Sequence, residues 1–273
     1  MASERRNAIV TGGASGLGRA IARRLARDGW NIAICDINEE AGKQTVDELR
    51  AAGGDGRFER LDVTQREEWA ALSERLHGDW QHLDLLVNNA GVAVSGEVGQ
   101  TSLDDWHWII NVNLWNGIYG CHTFIDWLKD NPNGAHIINT ASLAAIASGP
   151  SMAAYNVTKA GMVALSETLY AELQPHNVGV TVLCPAFFAT NLLKNGRFFK
   201  EDDRETAERA FTKAKMTADD VAEAAIKAMR KKKLFVVVPF KARRYWYLKR
   251  IFPQDFMKRV GEIYAKNGLR DHI

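Results

Sequence analysis

The chain has 273 residues, of which 46% are hydrophobic and 25% charged, which is the usage of a globular protein with a sizeable buried core. A formal net charge of +2 does not single out nucleic acid as a partner. Three scattered cysteines provide neither a disulfide framework nor a metal site, the N-terminus lacks the apolar core of a signal peptide, and no stretch reaches transmembrane length, so we expect a cytoplasmic protein.

Short apolar runs rich in β-branched residues alternate along the chain with segments of helical periodicity. The predicted strands cover residues 8–10, 32–35, 57–63, 83–87, 136–139, 178–183 and 234–238. The predicted helices lie around 17–25 and over 41–52, 67–77, 103–128, 153–173 and 218–229. This alternation indicates βαβ units and predicts a single α/β domain, in which a seven-stranded parallel sheet has helices on both faces.

The first predicted strand ends in a glycine-rich loop that leads directly into the first helix. Its glycine spacing differs from the G-x-G-x-x-G dinucleotide fingerprint, but the strand–loop–helix context is the same. Glycine lets backbone N–H groups come close to a phosphate, and a helix N-terminus adds a favourable dipole. We therefore predict cofactor contacts at Gly12, Ser15, Gly16, Leu17 and Gly18. A tight βα turn that binds nothing is the alternative.

Asp36 closes the second predicted strand, where a dinucleotide-binding fold places the carboxylate that accepts hydrogen bonds from the adenosine ribose. A carboxylate at this place repels a 2′-phosphate, so Asp36 favours NAD over NADP. Two observations leave the interpretation open. Strands commonly end in Asp as a turn residue, and Arg19 and Arg23 on the following helix could contact a phosphate.

Two further polar segments lie at the carboxyl ends of predicted strands, where open α/β sheets bind ligands. Asp62 and Val63 end the third strand, and Asp62 could receive the adenine amino group. An Asn-Asn-Ala-Gly segment ends the fourth strand. Its last three residues, Asn89, Ala90 and Gly91, would let the chain pass closely beside a cofactor, although the two amides could equally be plain turn formers.

Tyr155 and Lys159 lie one helical turn apart in the predicted helix 153–173, so their side chains share a face. Hydride transfer from an alcohol needs a proton acceptor at the hydroxyl, and a phenol with a pKa of about 10 serves only if a nearby cation favours phenolate. The Lys159 ammonium supplies that cation and could also bind a nicotinamide ribose. By itself the spacing is a weak signal, because most such pairs are surface neighbours on a helix.

Two more polar residues accompany this pair. Ser142 follows the fifth predicted strand and could bind the substrate oxygen, or it could cap the next turn. Asn113 lies in the otherwise apolar helix 103–128, where a buried amide must be hydrogen-bonded. Asn113 could be a structural bridge, or it could hold a water that relays protons towards Lys159.

Taken together and in this order, these motifs resemble those of the short-chain dehydrogenase/reductase family over residues 7–239. The resemblance implies a single doubly wound Rossmann-type domain, often assembled as a homodimer or homotetramer. It implies that Tyr155 is the catalytic acid/base, that Lys159 lowers its pKa and binds the ribose, and that Ser142 orients the substrate. Asn113, rather than Asn111, matches the family's proton-relay position.

The sequence departs from the family pattern after the sixth strand, where the usual Pro-Gly is Pro185-Ala186. Pro185 and Thr190 still match positions that contact the cofactor, Thr190 near the carboxamide, although alanine could shift this loop. Asp36 occupies the position associated with NAD preference. No basic residue precedes Gly16, where many NADP-preferring members carry one, so the resemblance implies NAD in preference to NADP.

We assign residues 1–239 to the catalytic domain and 240–273 to an aromatic and basic C-terminal extension. Residues 187–215 correspond to the family's variable substrate lid, whose phenylalanines suggest an apolar pocket or are buried against the domain or a second subunit. The segment 240–252 could lie on an anionic membrane, cover a partner subunit or dock on its own domain.

The predicted protein is an oxidoreductase that transfers a hydride between NAD(H) and a secondary alcohol or ketone, a small hydrophobic molecule rather than a nucleic acid. One rival is an NADPH-dependent reductase of 3-ketoacyl thioesters. A second rival is a non-catalytic nucleotide-binding regulator, against which the intact Ser142, Tyr155 and Lys159 argue.

Overall fold

A central parallel sheet organises the computed structural model, which describes residues 5–188 and 192–268. In chain order the strands are β1 (Asn7–Thr11), β2 (Asn31–Asp36), β3 (Asp55–Arg60), β4 (Leu85–Asn88), β5 (Val94–Ser95), β6 (Ala135–Thr140), β7 (Val178–Pro185), β8 (Arg197–Phe198) and β9 (Phe235–Val238). Strands β5 and β8 form a separate parallel pair, and the other seven pair in the order β3-β2-β1-β4-β6-β7-β9. The predicted seven-stranded parallel sheet is confirmed.

Helices cover both faces of the sheet. They are α1 (Gly16–Ala26), α2 (Glu39–Ala51), α3 (Arg66–Asp79), α4 (Leu103–Ile110), α5 (Asn116–Lys129), α6 (Ala144–Ala147), α7 (Ala153–Glu172), α8 (Glu201–Thr212), α9 (Ala218–Arg230), α10 (Arg243–Ile251) and α11 (Pro253–Gly268). The chain winds outward from β1 to β3 and then, from β4, in the opposite direction. The crevice between β1 and β4 is therefore the switch point at which such sheets bind ligands.

Alternation along the strands divides the core into two layers, because neighbouring strand residues point to opposite faces. Val10 joins the layer that packs against α1 and α9, which includes Leu25 and Ile226. Ile9 joins the layer on the other face, which includes Trp69 of α3 and Phe124 of α5. Burial on both faces explains why the strands are nearly continuous apolar runs.

The predicted helix 103–128 is interrupted. Residues Asn111–Trp115 form a π-helical turn between α4 and α5. The extra residue in such a turn changes which side chains face inward, and π-turns are frequent at functional sites. Asn113, in the middle of this turn, is 1% exposed and hydrogen-bonded to the backbone of Val92.

The predicted third strand also ends earlier than expected, at Arg60 rather than at Val63. The Asp62 carboxylate accepts hydrogen bonds from the backbone N–H and the hydroxyl of Thr64, at 3.0 and 2.7 Å. This local turn competes with the sheet ladder and ends the strand. Asp62 and Val63 therefore lie just beyond the carboxyl end of β3.

Candidate active site

The glycine-rich loop is packed too closely to admit side chains. Gly12 and Gly16 have φ of 61° and 51°, in the left-handed region that favours glycine. A Cβ on Gly12 would lie 2.9 Å from the Cα of Ala90, and one on Gly18 would collide with the carbonyl oxygen of Gly12. The backbone here can approach a ligand in a way that other residues would prevent.

The loop places the N-terminus of α1 at the switch point between β1 and β4. Ser15 is the N-cap residue, is exposed, and makes no side-chain capping bond. The first turn of α1 contains no acidic residue, so the positive end of the helix dipole is not neutralised there. This cradle fits the diphosphate of a dinucleotide.

The ends of β1 and β4 are joined by a reciprocal clamp. The Thr11 hydroxyl oxygen accepts hydrogen bonds from the backbone N–H groups of Asn89 and Ala90, at 2.9 and 3.1 Å. In return, the Asn89 side chain donates to the Thr11 carbonyl oxygen at 3.0 Å. The Asn89 amide therefore fixes the glycine loop instead of merely forming a turn.

Asp36 lies beside the glycine loop. One of its carboxylate oxygens accepts from the backbone N–H of Ala14 at 3.1 Å, and the other accepts from the backbone N–H of Asn38 at 3.0 Å. Asp36 thus serves the turn after β2 and also presents its carboxylate at the site predicted for the adenosine ribose. The turn contacts are observed, and the ribose contact stays a prediction.

Arg19 and Arg23, the two helix cations that could have contacted a 2′-phosphate, share a carboxylate partner. Glu48 of α2 accepts from Arg19 Nε at 3.0 Å, and it lies 3.7 Å from Arg23 Nε. Both guanidinium groups are therefore engaged within the protein.

Gly91 brings the cofactor end and the chemical end of the site together. A Cβ on Gly91 would lie 3.3 Å from Asn113 Oδ1 and 3.4 Å from Lys159 Nζ. Pro185, at the end of β7, accepts a hydrogen bond from the backbone N–H of Leu143 at 2.8 Å, which fixes the loop after β6. Thr190, the remaining predicted contact, lies outside the described residues.

Lys159 is 3% exposed, and its ammonium lies 5.7 Å from the centre of the Tyr155 ring. Its Nζ donates to the carbonyl oxygen of Thr140 at 3.0 Å. Burial lowers the pKa of Lys159 to about 8, against the opposing influence of Cys184. Thr140 was missed by sequence reasoning, because a backbone oxygen leaves no signal in the residue type.

Tyr155 is partly exposed, yet the loss of solvent around its phenol raises its pKa to about 12. A hydrogen bond from the Ser142 hydroxyl opposes this rise. The direction differs from the sequence expectation that Lys159 lowers the pKa of Tyr155. Burial raises this pKa by more than the Ser142 hydroxyl lowers it.

Ser142 makes the capping contact that was one of its two predicted roles. Its hydroxyl oxygen accepts from the backbone N–H of Ala144 at 3.1 Å, so it caps the turn that begins α6. The same hydroxyl lowers the pKa of Tyr155. A hydroxyl fixed in this way and facing the phenol can orient an oxygen atom that both groups contact.

Asn113 makes the contacts of a structural bridge. Its amide donates to the Val92 carbonyl oxygen at 2.9 Å and accepts from the Val92 N–H at 2.8 Å. It also donates to the Thr158 hydroxyl at 3.3 Å, and that hydroxyl donates to the Tyr155 carbonyl oxygen at 2.8 Å. The π-turn is thereby joined to α7.

The predicted lid has a mixed structure. Phe188 is buried in the core layer of α1 and α9 instead of lining a pocket. Phe187 packs edge-on against Phe211 of α8, with 5.3 Å between ring centres, and Phe199 is exposed. Fewer of these phenylalanine rings are therefore available to line an apolar pocket than the composition suggested.

The C-terminal extension docks on its own domain, as one of the predicted alternatives has it. The Trp246 ring of α10 lies 4.7 Å from that of Phe235 in β9. At the far end of α11, the Tyr264 hydroxyl lies 2.7 Å from a carboxylate oxygen of Glu97 and 2.9 Å from the Ser151 hydroxyl. Since Ser151 lies just before α7, the extension reaches the start of the helix that carries Tyr155. None of the described helices is long and apolar enough to cross a bilayer.

Comparison with known proteins finds relatives among dehydrogenases and other oxidoreductases. A family model for short chain dehydrogenase matches residues 6–200. "Probable oxidoreductase EphD" of Mycobacterium tuberculosis is 34% identical over 253 residues, which is 90% of this chain, but the chain spans only 43% of that protein's length. Cyclopentanol dehydrogenase of Comamonas testosteroni is 33% identical over 182 residues, 67% of this chain and 72% of that protein.

The fold has a similarly clear counterpart. A crystal structure of a short chain dehydrogenase/reductase from Burkholderia phymatum in complex with NAD has a TM-score of 0.86 and 31% identity, and covers 90% of this chain and 93% of that one. Other structures of the same fold hold NADP cofactors, so the fold alone does not select between the two.

Proposed function

Because this chain belongs to the short-chain dehydrogenase family, whose members are nicotinamide-dependent oxidoreductases acting on CH–OH groups, we propose that it interconverts a hydrophobic secondary alcohol and the corresponding ketone with NAD(H), using Tyr155 as the general acid/base. The observation that carries this proposal is the position of the buried Lys159 ammonium 5.7 Å from the centre of the Tyr155 ring, together with the Ser142 hydroxyl, which lowers the pKa of the phenol.

The proposed chemistry follows from the state of the phenol. With its pKa raised to about 12, Tyr155 carries its proton at neutral pH and can donate it to a carbonyl oxygen. Ser142 donates to the same oxygen and stabilises the charge that develops on it. When bound, the nicotinamide ring supplies the hydride in reduction and accepts it in oxidation. In oxidation, Tyr155 takes the hydroxyl proton, so that direction requires its phenolate.

Lys159 has two proposed tasks in this arrangement. At neutral pH it is mostly charged, since its pKa is about 8. Its position 3.4 Å from a Cβ built on Gly91 places the ammonium beside the cofactor loop, where it can bind a ribose hydroxyl. Its charge also stabilises a phenolate at Tyr155. Asn113 fixes the start of α7 through Thr158, and a proton relay through a water on Asn113 is part of the proposal.

We propose NAD as the preferred cofactor. Asp36 presents a carboxylate beside the glycine loop, and Glu48 holds both nearby arginines. A 2′-phosphate at this end would meet the Asp36 carboxylate, and the two nearby arginines of the described residues are already paired with Glu48. This argument also disfavours the rival NADPH-dependent reductase of 3-ketoacyl thioesters. Side-by-side binding of NADH and NADPH separates the two proposals, and a clear preference for NADPH would overturn ours.

The substrate proposal is tested by a screen of secondary alcohols and ketones that differ in size and polarity, followed by NADH absorbance. We expect turnover of apolar members such as cyclic ketones. Turnover confined to acyl thioesters would support the rival enzyme. Cofactor binding without turnover of any member would support the non-catalytic regulator.

A further inference from the structure

Helix α10 has one face against the domain and one face without a partner in the described chain. On the inner face, Trp246 packs on Phe235, and Lys249 donates to the Ser148 hydroxyl at 2.8 Å. The opposite face and its two flanks, which we call the outer face of α10, present apolar side chains to solvent. Their exposed fractions are Phe240 75%, Tyr247 57%, Leu248 49%, Ile251 65% and Phe252 56%.

The spacing of these residues makes the outer face continuous. Residues 240, 247, 248 and 251 recur at helical intervals, so they form one strip along α10 and the turn before it. A contiguous exposed apolar strip on a folded domain marks a contact surface, whereas single exposed apolar residues do not.

The charge around the strip has one sign. Between residues 240 and 252, on the strip and beside it, the sequence has five Lys and Arg and no acidic residue. Within residues 5–188 and 192–268, none of these five cations forms a salt bridge, although Arg24, for example, is paired with both Asp28 and Glu223. Arg243 lies over the Phe240 ring at 4.8 Å, so cation and apolar surface are interleaved.

We propose that the outer face of α10 docks on the surface of an anionic lipid bilayer. Apolar side chains enter the boundary between headgroups and acyl chains, while the surrounding Lys and Arg bind the lipid phosphates. This combination of a lateral apolar strip and unpaired cations is the pattern of a helix that lies in the membrane interface.

A second copy of the chain fits the outer face of α10 less well than an anionic bilayer does. In a two-fold dimer the same patch meets itself. Such a pairing at α10 would bring five cations against five cations without an acidic residue between 240 and 252 to compensate them. The bilayer supplies the opposite charge that this surface lacks.

Docking in this orientation has a consequence that rests on the proposed function. Helix α10 packs against α6, which begins two residues after Ser142, and α11 reaches Ser151 through Tyr264. The substrate side of the site then lies next to the bilayer. An apolar alcohol or ketone dissolved in lipid would reach the site without crossing bulk water.

The test uses the full chain and sedimentation with vesicles, which needs no turnover. We expect binding to phosphatidylcholine vesicles that contain phosphatidylglycerol, little binding to phosphatidylcholine alone, and release by salt. The double variant Lys241→Glu/Arg244→Glu should lower the partition coefficient roughly thirtyfold or more. Leu248→Ser/Ile251→Ser should weaken the binding that persists at higher salt.

The matched control is Arg27→Glu/Arg66→Glu, which reverses one exposed cation just after α1 and another at the start of α3 and should leave vesicle binding unchanged. Circular dichroism checks that each variant is folded. The proposal is overturned if the wild type does not bind anionic vesicles at low salt, or if the α10 variants bind them as well as the wild type does. It is also overturned if these variants dissociate an oligomer while the wild type shows no vesicle binding. Failure of the proposed function would appear separately, as intact vesicle binding without turnover.

Discussion

The Lys159 ammonium lies 5.7 Å from the centre of the Tyr155 ring and donates its hydrogen bond to a backbone oxygen, that of Thr140. The pair that the sequence places on one helix face is therefore adjacent, but the two polar groups do not share a hydrogen bond. The Ser142 hydroxyl lowers the pKa of the phenol, but burial raises it by more and keeps Tyr155 protonated. The protein by itself is arranged to donate a proton.

Tyr155→Phe removes the proposed acid/base and keeps the ring. We expect kcat to fall on the order of 10²–10⁴-fold, because general acid–base catalysis typically contributes that much. The dissociation constant for NADH, measured by fluorescence titration, should stay within a few-fold of the wild type. Tyr170→Phe on the same helix is the control and should turn over normally. Unchanged turnover in Tyr155→Phe would contradict the mechanism.

The pKa of Tyr155 sets the expected pH dependence. The pKa is raised from 10 to about 12, so the phenolate fraction grows about tenfold per pH unit below that value. Alcohol oxidation should rise accordingly with pH, whereas ketone reduction should not gain from higher pH. Ser142→Ala removes the hydrogen bond that lowers this pKa, so its oxidation profile should shift to higher pH and its kcat should fall. An oxidation plateau that begins near neutral pH would disagree with this expectation.

The cofactor preference should depend on two carboxylates. In the double variant Asp36→Ala/Glu48→Gln, the charge beside the ribose site is removed and Arg19 and Arg23 lose their shared partner. We expect the wild type to bind NADH about tenfold or more tightly than NADPH, and the double variant to lose this preference. Asp47→Ala, an exposed carboxylate on α2, is the control. Isothermal titration with both cofactors gives the comparison, and an unaltered ratio would remove Asp36 from its proposed role.

Acid should destabilise the protein through His136. Burial, with a smaller contribution from Lys232, lowers the pKa of His136 from 6.5 to about 3. The unfolded chain therefore binds a proton that the folded protein excludes, so stability is complete above pH 6.5 and is lost as the pH falls towards 3. The surroundings of the ring are consistent with this exclusion of a proton. Nε2 lies 2.8 Å from the Thr181 hydroxyl, and Nδ1 lies so close to Gly179 that a Cβ there would collide with it.

At pH 5 this residue should account for a loss of about 2 kcal/mol in the free energy of unfolding relative to pH 7. Urea unfolding at the two pH values measures the loss. His136→Gln should reduce the difference between them, and His107→Gln, on the exposed side of α4, should not. An equal acid sensitivity of His136→Gln and wild type would show that other groups cause it.

Tyr264→Phe tests whether α11 borders the substrate site. The change removes the hydrogen bonds to Glu97 and Ser151 while keeping the ring. We expect KM for large apolar ketones to change several-fold, with kcat for a small ketone within about twofold, since each hydrogen bond contributes about 1 kcal/mol. Tyr245→Phe, whose ring packs on Phe256, is the matched control. Identical KM values for large ketones in Tyr264→Phe and wild type would place α11 away from the site.

Much of the fold and of the site could be predicted from local patterns. Apolar runs such as 178–183 and the periodicity of 153–173 depend on neighbouring residues alone, and both appear as β7 and α7. Glycines in the first loop predict a close approach to a phosphate, and in the structure Gly12 also leaves no room for a side chain beside Ala90. The interruption at Asn111–Trp115 was not predicted, because it depends on the distant backbone of Val92.

By itself, the sequence determined the order of strands and helices, the glycine loop, and the placement of Tyr155 and Lys159 on one helix face, since these follow from periodicity and chain geometry. The tertiary structure decided which groups meet. It assigned Lys159 to the Thr140 oxygen, Glu48 to two arginines and Tyr264 to Ser151, across separations that no local pattern encodes. The direction of the Tyr155 pKa was decided there too, because burial is a property of the packed molecule and outweighed the charge that the spacing suggested.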